Sequence, residues 1–248
     1  MRPLVSWICP TDNLPPRLTH LLEEVVESFA RQDYRNRELV ILNSTPGQTL
    51  VCDYPGVRVV NVAHRYPTLG DKLNALVELS RGDILLPCDH DDISLPWRTS
   101  QAVERLGAAH YWNPQRTWFM DGGGLHCDHA HGVCHNGSAF TRRGWQIVGG
   151  YPRTTGAQDA QMDALLKSLG AVPSPLSADP SSWSYIYRWG VSDIHLSGRQ
   201  PHEEHYASIG ERPIVPGTYR LQPHWRQDYL ALTRAACLSF NREPTASA

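Results

Sequence analysis

The sequence predicts an α/β protein built on a mostly parallel central sheet. Short apolar runs alternate with segments of helical periodicity through the first hundred residues. Alternation of that kind produces βαβ units joined by right-handed crossovers. The runs also end in polar, turn-forming loops, and an open sheet of this class binds its ligand just beyond the carboxyl ends of its strands.

Leu4 to Ile8 reads as the first strand and runs into the turn-rich Cys9-Pro10-Thr11-Asp12-Asn13. Leu18, Leu21, Leu22, Val25, Val26 and Phe29 recur at helical spacing, with Glu23, Glu24 and Glu27 off the stripe. Glu38 to Leu42 and Val57 to Val62 are the next strands, and Gly70 to Ser80 is a helix with Leu73, Leu76 and Val77 facing inward. Ile84 to Leu86 is a buried strand. The loops after Ile8, Leu42 and Cys88 then face one crevice. Pro96 to Leu106 reads as a helix with proline in its first turn. Beyond it the texture changes to short strands (111–112, 117–120, 138–141) broken by Gly-rich turns. A helix over 158–169 and a strand over 184–189 follow. Residues 196–218 show little periodicity and are expected to form a mobile loop. Residues 229–238 read as a last helix, and 241–248 as a frayed tail.

The chain has 248 residues, 41% hydrophobic and 19% charged, which suits a folded globular protein and argues against disorder. No apolar run reaches the length of a membrane span, and the N-terminus has no signal-peptide pattern. Six scattered cysteines suggest reduced thiols and a cytoplasmic location. A net charge of −2 leaves no strong electrostatic footprint for nucleic acid. Only two of the 23 basic residues, Lys72 and Lys167, are lysines.

The chemistry concentrates after Leu86, where Asp89, Asp91 and Asp92 fall within four residues. Carboxylates so close repel one another unless a cation lies between them, and hard divalent cations take oxygen ligands. The stretch reads as a metal site for a phosphorylated ligand, or else as a solvated acidic turn. Lys72, in the first turn of its helix, is not explained by the helix dipole. A diphosphate partner explains it; a solvated surface lysine is the alternative.

Five features, in order, resemble those of inverting, nucleotide-sugar-dependent glycosyltransferases of family 2. They are Val5–Asn13; the Ser28-Phe29-Ala30-Arg31-Gln32-Asp33-Tyr34 helix end; Gly70–Leu76 with Arg81-Gly82-Asp83 and Asp89-His90-Asp91-Asp92; Gly149-Gly150-Tyr151 with Gln158-Asp159; and Tyr185–Trp189 with Asp193-Ile194-His195. The resemblance spans roughly residues 4–195 and implies a GT-A fold. Residues 1–107 would form the nucleotide-sugar-binding half and 108–240 the acceptor half of one domain. It implies that Asp91 and His195 hold Mn²⁺ or Mg²⁺, with imidazole favouring Mn²⁺. Asp89 would contact the nucleotide; Pro10, Thr11, Asp12 and Asn43 would line the base pocket. Asn43 stands where the family has Asp, which leaves uracil against guanine open. Asp159 would be the catalytic base, with Gln158 in place of the usual Glu and Asp163 as the nearest rival. Arg188 would hold phosphate and Trp189 would stack on a sugar. Tyr185 replaces the Gln of the processive synthases' Gln-x-x-Arg-Trp motif, which disfavours polymer synthesis.

Other readings compete. A haloacid dehalogenase-like phosphatase also carries Asp-x-Asp, with Asp89 as nucleophile and Asp91 as acid/base, but on its first strand. A sugar-nucleotide pyrophosphorylase would need a Gly-rich N-terminal loop. A non-catalytic sugar-nucleotide-binding module is the third. Residues 126–135 hold six soft ligands without a regular zinc spacing, and fit a loop beside the acceptor cleft better than a zinc site. Six of the eight tryptophans lie after residue 107, for core packing or an acceptor platform. The acceptor is open between glycan, protein, lipid carrier and modified nucleic-acid base. Arg142, Arg143, Arg153, Arg199, Arg212, Arg220 and Arg226 would be the residues to track a polyanion.

Overall fold

Leu39, Val40, Ile41 and Leu42 are all fully buried, as a strand covered on both faces requires. They belong to β2 (Arg37–Asn43), which pairs in parallel with β1 (Val5–Thr11) and β4 (Val57–Asn61). β5 (Ile84–Pro87) lies parallel on the other side of β1. The computed structural model describes residues 2–128, 135–191, 195 and 201–240. Side chains alternate across the sheet. Trp7, Cys9, Leu39 and Ile41 pack against Leu21, Leu22, Val25, Val26 and Phe29 of α1 (Thr19–Ala30). Ile8, Val40, Leu42 and Leu85 meet Leu73, Leu76 and Val77 of α2 (Leu69–Leu79) on the opposite face. Each large apolar side chain so buried contributes about 1.5–3 kcal/mol.

β1 runs three residues further than the expected strand, through Pro10 and Thr11. Pro10 is tolerated there because the ladder to β5 ends at the Ile8–Pro87 pair, so its missing N–H removes no hydrogen bond of that ladder. The side chain of Thr68 caps α2 by accepting from Asp71 N at 3.0 Å. Gly70 lies so close to the turn at Pro152 that a Cβ would come within 1.9 Å of the Pro152 carbonyl oxygen. Only glycine lets the start of α2 dock there.

β3 (Gln48–Val51), β6 (Ile93–Ser94) and α3 (Arg98–Leu106) complete the first half. The second half contributes β7 (Tyr111–Trp112), β8 (Thr117–Asp121), β9 (Gly124–Asp128), β10 (Ala139–Thr141), α4 (Arg142–Val148), α5 (Gln158–Lys167) and β11 (Tyr185–Arg188). The main sheet runs β4-β2-β1-β5-β10-β7, its last two strands antiparallel to their neighbours. A second sheet, β6-β11-β8-β9, stands beside it. No helix among the described residues is long and apolar enough to cross a membrane.

The expected loop over 196–218 is corrected where it is described. It holds α6 (His202–Glu211) and β12 (Gly217–Arg220), which pairs with β3. Only Tyr206 and Ile209 of α6 are buried, too few for a periodic signal. Long-range contacts order it instead: Asn13 Nδ2 donates to the carbonyls of Ile209 (2.8 Å) and Arg212 (3.1 Å), and the Arg65 guanidinium lies 3.9 Å over the Tyr206 ring. α7 (Tyr229–Phe240) closes the described chain. β3, β6, β9, β12 and α4 are additions to the elements expected from periodicity. Four of these five have no more than five residues, too short to register.

Candidate active site

The Asp-rich loop leaves β5 where the sheet opens, and its three carboxylates have ligand atoms within 4.8 Å of one another. They do not share one role. Asp92 turns inward: it accepts from Tyr185 Oη at 2.5 Å and from Arg188 N at 2.7 Å, which ties the loop to β11. Asp91 faces the cleft and meets His195 Nδ1 at 3.0 Å. Asp89 faces the cleft too, and Asn136 Nδ2 donates to it. Burial, then the charges of Asp91 and Asp92, hold the Asp89 carboxyl well above the usual range. Burial and Asp91 push Asp92 up to about 7. Burial opposes ionisation of Asp91 as well, but His90, His195 and Arg188 outweigh it and bring it to about 2. Crowded oxygen donors that resist ionising together, beside one imidazole, are the donor set a hard divalent cation relieves.

Arg188, expected to hold phosphate, lies outside the lining of the cleft. Its Nη1 donates to Glu24 Oε2 at 2.6 Å and to Tyr229 Oη at 2.9 Å, and its Nε to the Asp91 carbonyl. Burial opposes the Glu24 charge, but Arg188 outweighs it and holds its pKa below the ordinary value. Glu24, off the apolar stripe of α1, is therefore buried by its ion pair. The brace fixes the backbone of the acid loop from behind. Arg98 does the same from α3, donating to Pro87 O and Asn136 O and to Ser94 Oγ at 2.7 Å.

On the β1 side, Pro10, Thr11, Asp12 and Lys72 line the same cleft. Asn43, expected in the base pocket, lies outside this lining. Its amide donates to Gln48 O (3.1 Å) and Asn61 Oδ1 (3.0 Å), and its Oδ1 accepts from Thr45 N (3.3 Å). It fastens β3 and β4 beneath the floor. Asp12 is paired with Arg65, so α6 and its anchor wall off this end. The Lys72 ammonium donates to Thr11 O and, at 2.7 Å, to Ser44 Oγ. Burial lowers its pKa to about 8, against the opposing pull of Asp12.

That value fixes a pH dependence. Below about pH 8 the folded chain carries a buried ammonium. Between 8 and the ordinary 10.5 the unfolded chain binds the extra proton, so this group makes stability rise with pH over that window. An anion bound near Lys72 behaves oppositely: its affinity falls as pH rises past about 8. Titrating UDP at pH 7 and pH 9.5 checks this, and Lys72→Met is expected to flatten the difference.

Across the cleft, α5 begins with Gln158 and Asp159, and both line it with His135 and Asn136. Asp163, one turn on, is drawn inward to Tyr111 Oη, Asn113 Nδ2 (3.1 Å) and Lys167 Nζ (2.5 Å), so the rival base faces the wrong way. His135 is buried and its pKa is lowered by burial to about 4; its Nε2 meets Tyr151 Oη at 2.8 Å. Thr11 Oγ1, His90 Nε2 and Gln158 Oε1 are buried without a hydrogen-bond partner among the described residues. All three residues line the cleft, and orphaned polar atoms of this kind fit a polar ligand. The cleft has a volume of about 180 Å³ and opens to solvent at its mouth.

Trp189 is 41% exposed and lies outside the cleft lining, packed on Phe119, Tyr187 and His195. In the His/Cys-rich segment, residues 129–134 lie outside the described residues. His126 is exposed beside Asp121 and His135 is buried, and neither joins a metal-ligating cluster among the described residues. Three of the seven arginines that would track a polyanion are engaged by partners within the chain. Arg142 donates to the Gly82, Val77 and Ser80 carbonyls, Arg153 pairs with Asp71 and Arg220 with Asp53, while Arg199 lies outside the described residues.

A mostly parallel sheet with an acid loop at the end of its fourth parallel strand, and a carboxylate-bearing helix across the cleft, defines the GT-A class of nucleotide-sugar-binding folds. Residues 6–124 match the model of Glycosyl transferase family 2, which the chain resembles over that span. Among solved structures it is similar to Staphylococcus aureus TarS 1-349 in complex with UDP-GlcNAc: 13% identity, TM-score 0.53, 75% of this chain and 58% of that one. It is also similar to the mannosyltransferase PcManGT from Pyrobaculum calidifontis in complex with GDP-Man and Mn²⁺: 19% identity, TM-score 0.54, 87% of this chain and 66% of that one. At these identities the likeness is one of fold, and the chain spans less than two thirds of either protein. No curated protein matches the sequence.

Proposed function

We propose that the chain is a metal-dependent inverting glycosyltransferase that moves a sugar from a nucleoside-diphosphate sugar, a UDP-sugar by preference, to a hydroxyl acceptor. The observation that carries this reading is the single cleft uniting the ends of β1 and β5, Lys72 and Asp159. Thr11, Asp12 and Lys72 hold the nucleotide, and Asp89 contacts it on the acid side. Asp91, with His195, would hold Mn²⁺ or Mg²⁺, which when bound neutralises charge on the leaving diphosphate. Asp159 takes the proton of the acceptor hydroxyl as its oxygen attacks the anomeric carbon. The bond to the diphosphate breaks on the opposite face, so configuration inverts. The nucleotide sugars bound by TarS and PcManGT, and the Mn²⁺ of the latter, support the donor class. The acceptor is a glycan, a protein or a modified nucleic-acid base. Cys9, Cys52, Cys88, Cys127 and Cys237 are free, which supports a reducing, cytoplasmic setting.

Thermal unfolding against a panel of nucleoside diphosphates, with and without Mn²⁺, tests the donor site. A ligand at a hundred times its Kd stabilises by about 2.7 kcal/mol, or roughly 5–10 °C for a chain of this size. The expected result is a shift that needs both the metal and UDP. No shift with any pair would remove the donor and metal roles of Asp89, Asp91 and His195.

A further inference from the structure

His195 meets Asp91 through Nδ1, and its other nitrogen, Nε2, is 2.9 Å from Tyr187 Oη. Tyr187 lies on β11 two residues from Tyr185, so both side chains leave the strand on one face. Tyr185 reaches Asp92 directly, whereas Tyr187 reaches Asp91 through His195. The Tyr187 ring is held by Phe119 at 5.9 Å, Trp189 at 6.2 Å and His195 at 5.6 Å between centroids. These rings pack around Tyr187 and restrict the swing of its hydroxyl.

A neutral imidazole carries one ring proton. Where Nδ1 donates to Asp91, Nε2 accepts from the tyrosine hydroxyl. For Nδ1 to offer a lone pair to a cation, the proton must be on Nε2, and Tyr187 Oη must accept it. A hydroxyl can do either, which a carbonyl or an ammonium cannot. Resting on the metal site proposed above, we infer that Tyr187 is a positioning residue that accepts the Nε2 proton when His195 takes its metal-binding tautomer, and so supports cations that favour imidazole over those that favour oxygen. Partners of this kind change metal affinity by about 10–100-fold, and imidazole favours Mn²⁺ over Mg²⁺.

Calorimetric titration of Mn²⁺ and of Mg²⁺ into the full chain, Tyr187→Phe, His195→Ala and the double variant tests this. Tyr187→Phe is expected to weaken Mn²⁺ by about 10–100-fold and Mg²⁺ much less, with no further loss of Mn²⁺ affinity when added to His195→Ala. Unchanged Mn²⁺ affinity in Tyr187→Phe overturns the inference, as does an equal loss in the His195→Ala background, which would mark a general packing role. A parent chain that binds neither ion overturns the metal site and this inference together. The ring ¹⁵N shifts of His195 in the unsubstituted protein make the point without a variant. The proton is expected on Nδ1 without metal and on Nε2 with diamagnetic Zn²⁺; a proton remaining on Nδ1 with Zn²⁺ bound overturns the inference.

Discussion

Replacing Asp159 with Asn is expected to lower kcat by about 10²–10⁴-fold, the usual contribution of a positioned general base, while the metal-dependent UDP shift persists. The substitution keeps the volume and removes only the proton-accepting charge. Asp159 stands at the start of α5, across the cleft from the acid loop, where an acceptor hydroxyl can approach the donor from the far side. The control is Asp163→Asn. That carboxylate is committed to Tyr111, Asn113 and Lys167, so its loss should lower the melting temperature and leave kcat within a few-fold. If Asp163→Asn abolishes transfer and Asp159→Asn does not, the base has been assigned to the wrong residue.

Arg188→Met is expected to destabilise the fold by about 3–5 kcal/mol, because it strands a buried carboxylate. Glu24 is 1% exposed, and its charge is held by Arg188, by Tyr229 Oη at 2.8 Å and by Arg226 N at 3.1 Å. Adding Glu24→Gln should return much of the loss, since the double variant buries no unpaired charge. Urea denaturation of the single and double variants measures both. A single variant within about 1 kcal/mol of the parent would place this pair among the salt bridges that contribute little. The brace also fixes the Asp91 carbonyl and, through the Arg188 backbone, Asp92. Weakened Mn²⁺ binding should therefore accompany the loss of stability.

Residues whose positions are set by their own element are legible in the sequence. The acid run follows β5 directly, Lys72 falls in the first turn of α2, and Asp159 opens α5; each is placed by its own element. The partners of Asn43 and Arg188 are not legible in the sequence, because they come from far along the chain. Asn43 is used up by Asn61, eighteen residues on, and Arg188 by Glu24, 164 residues away. α6 carries no periodic signal for the same reason: what orders it is Asn13 and Arg65, far back in the chain.

The sequence by itself determined the alternation of strands and helices, the strand end that carries the acids and the helix that carries the candidate base. Those follow from side-chain periodicity and from backbone geometry within one element. The tertiary structure alone decided which acid faces the cleft. Asp89, Asp91 and Asp92 are chemically alike along the chain. They differ because Tyr185 and the Arg188 amide turn Asp92 inward, while His195 and Asn136 meet Asp91 and Asp89 at the cleft. A carboxylate's role is set by the donors that reach it, and here each donor arrives from an element at least 47 residues away.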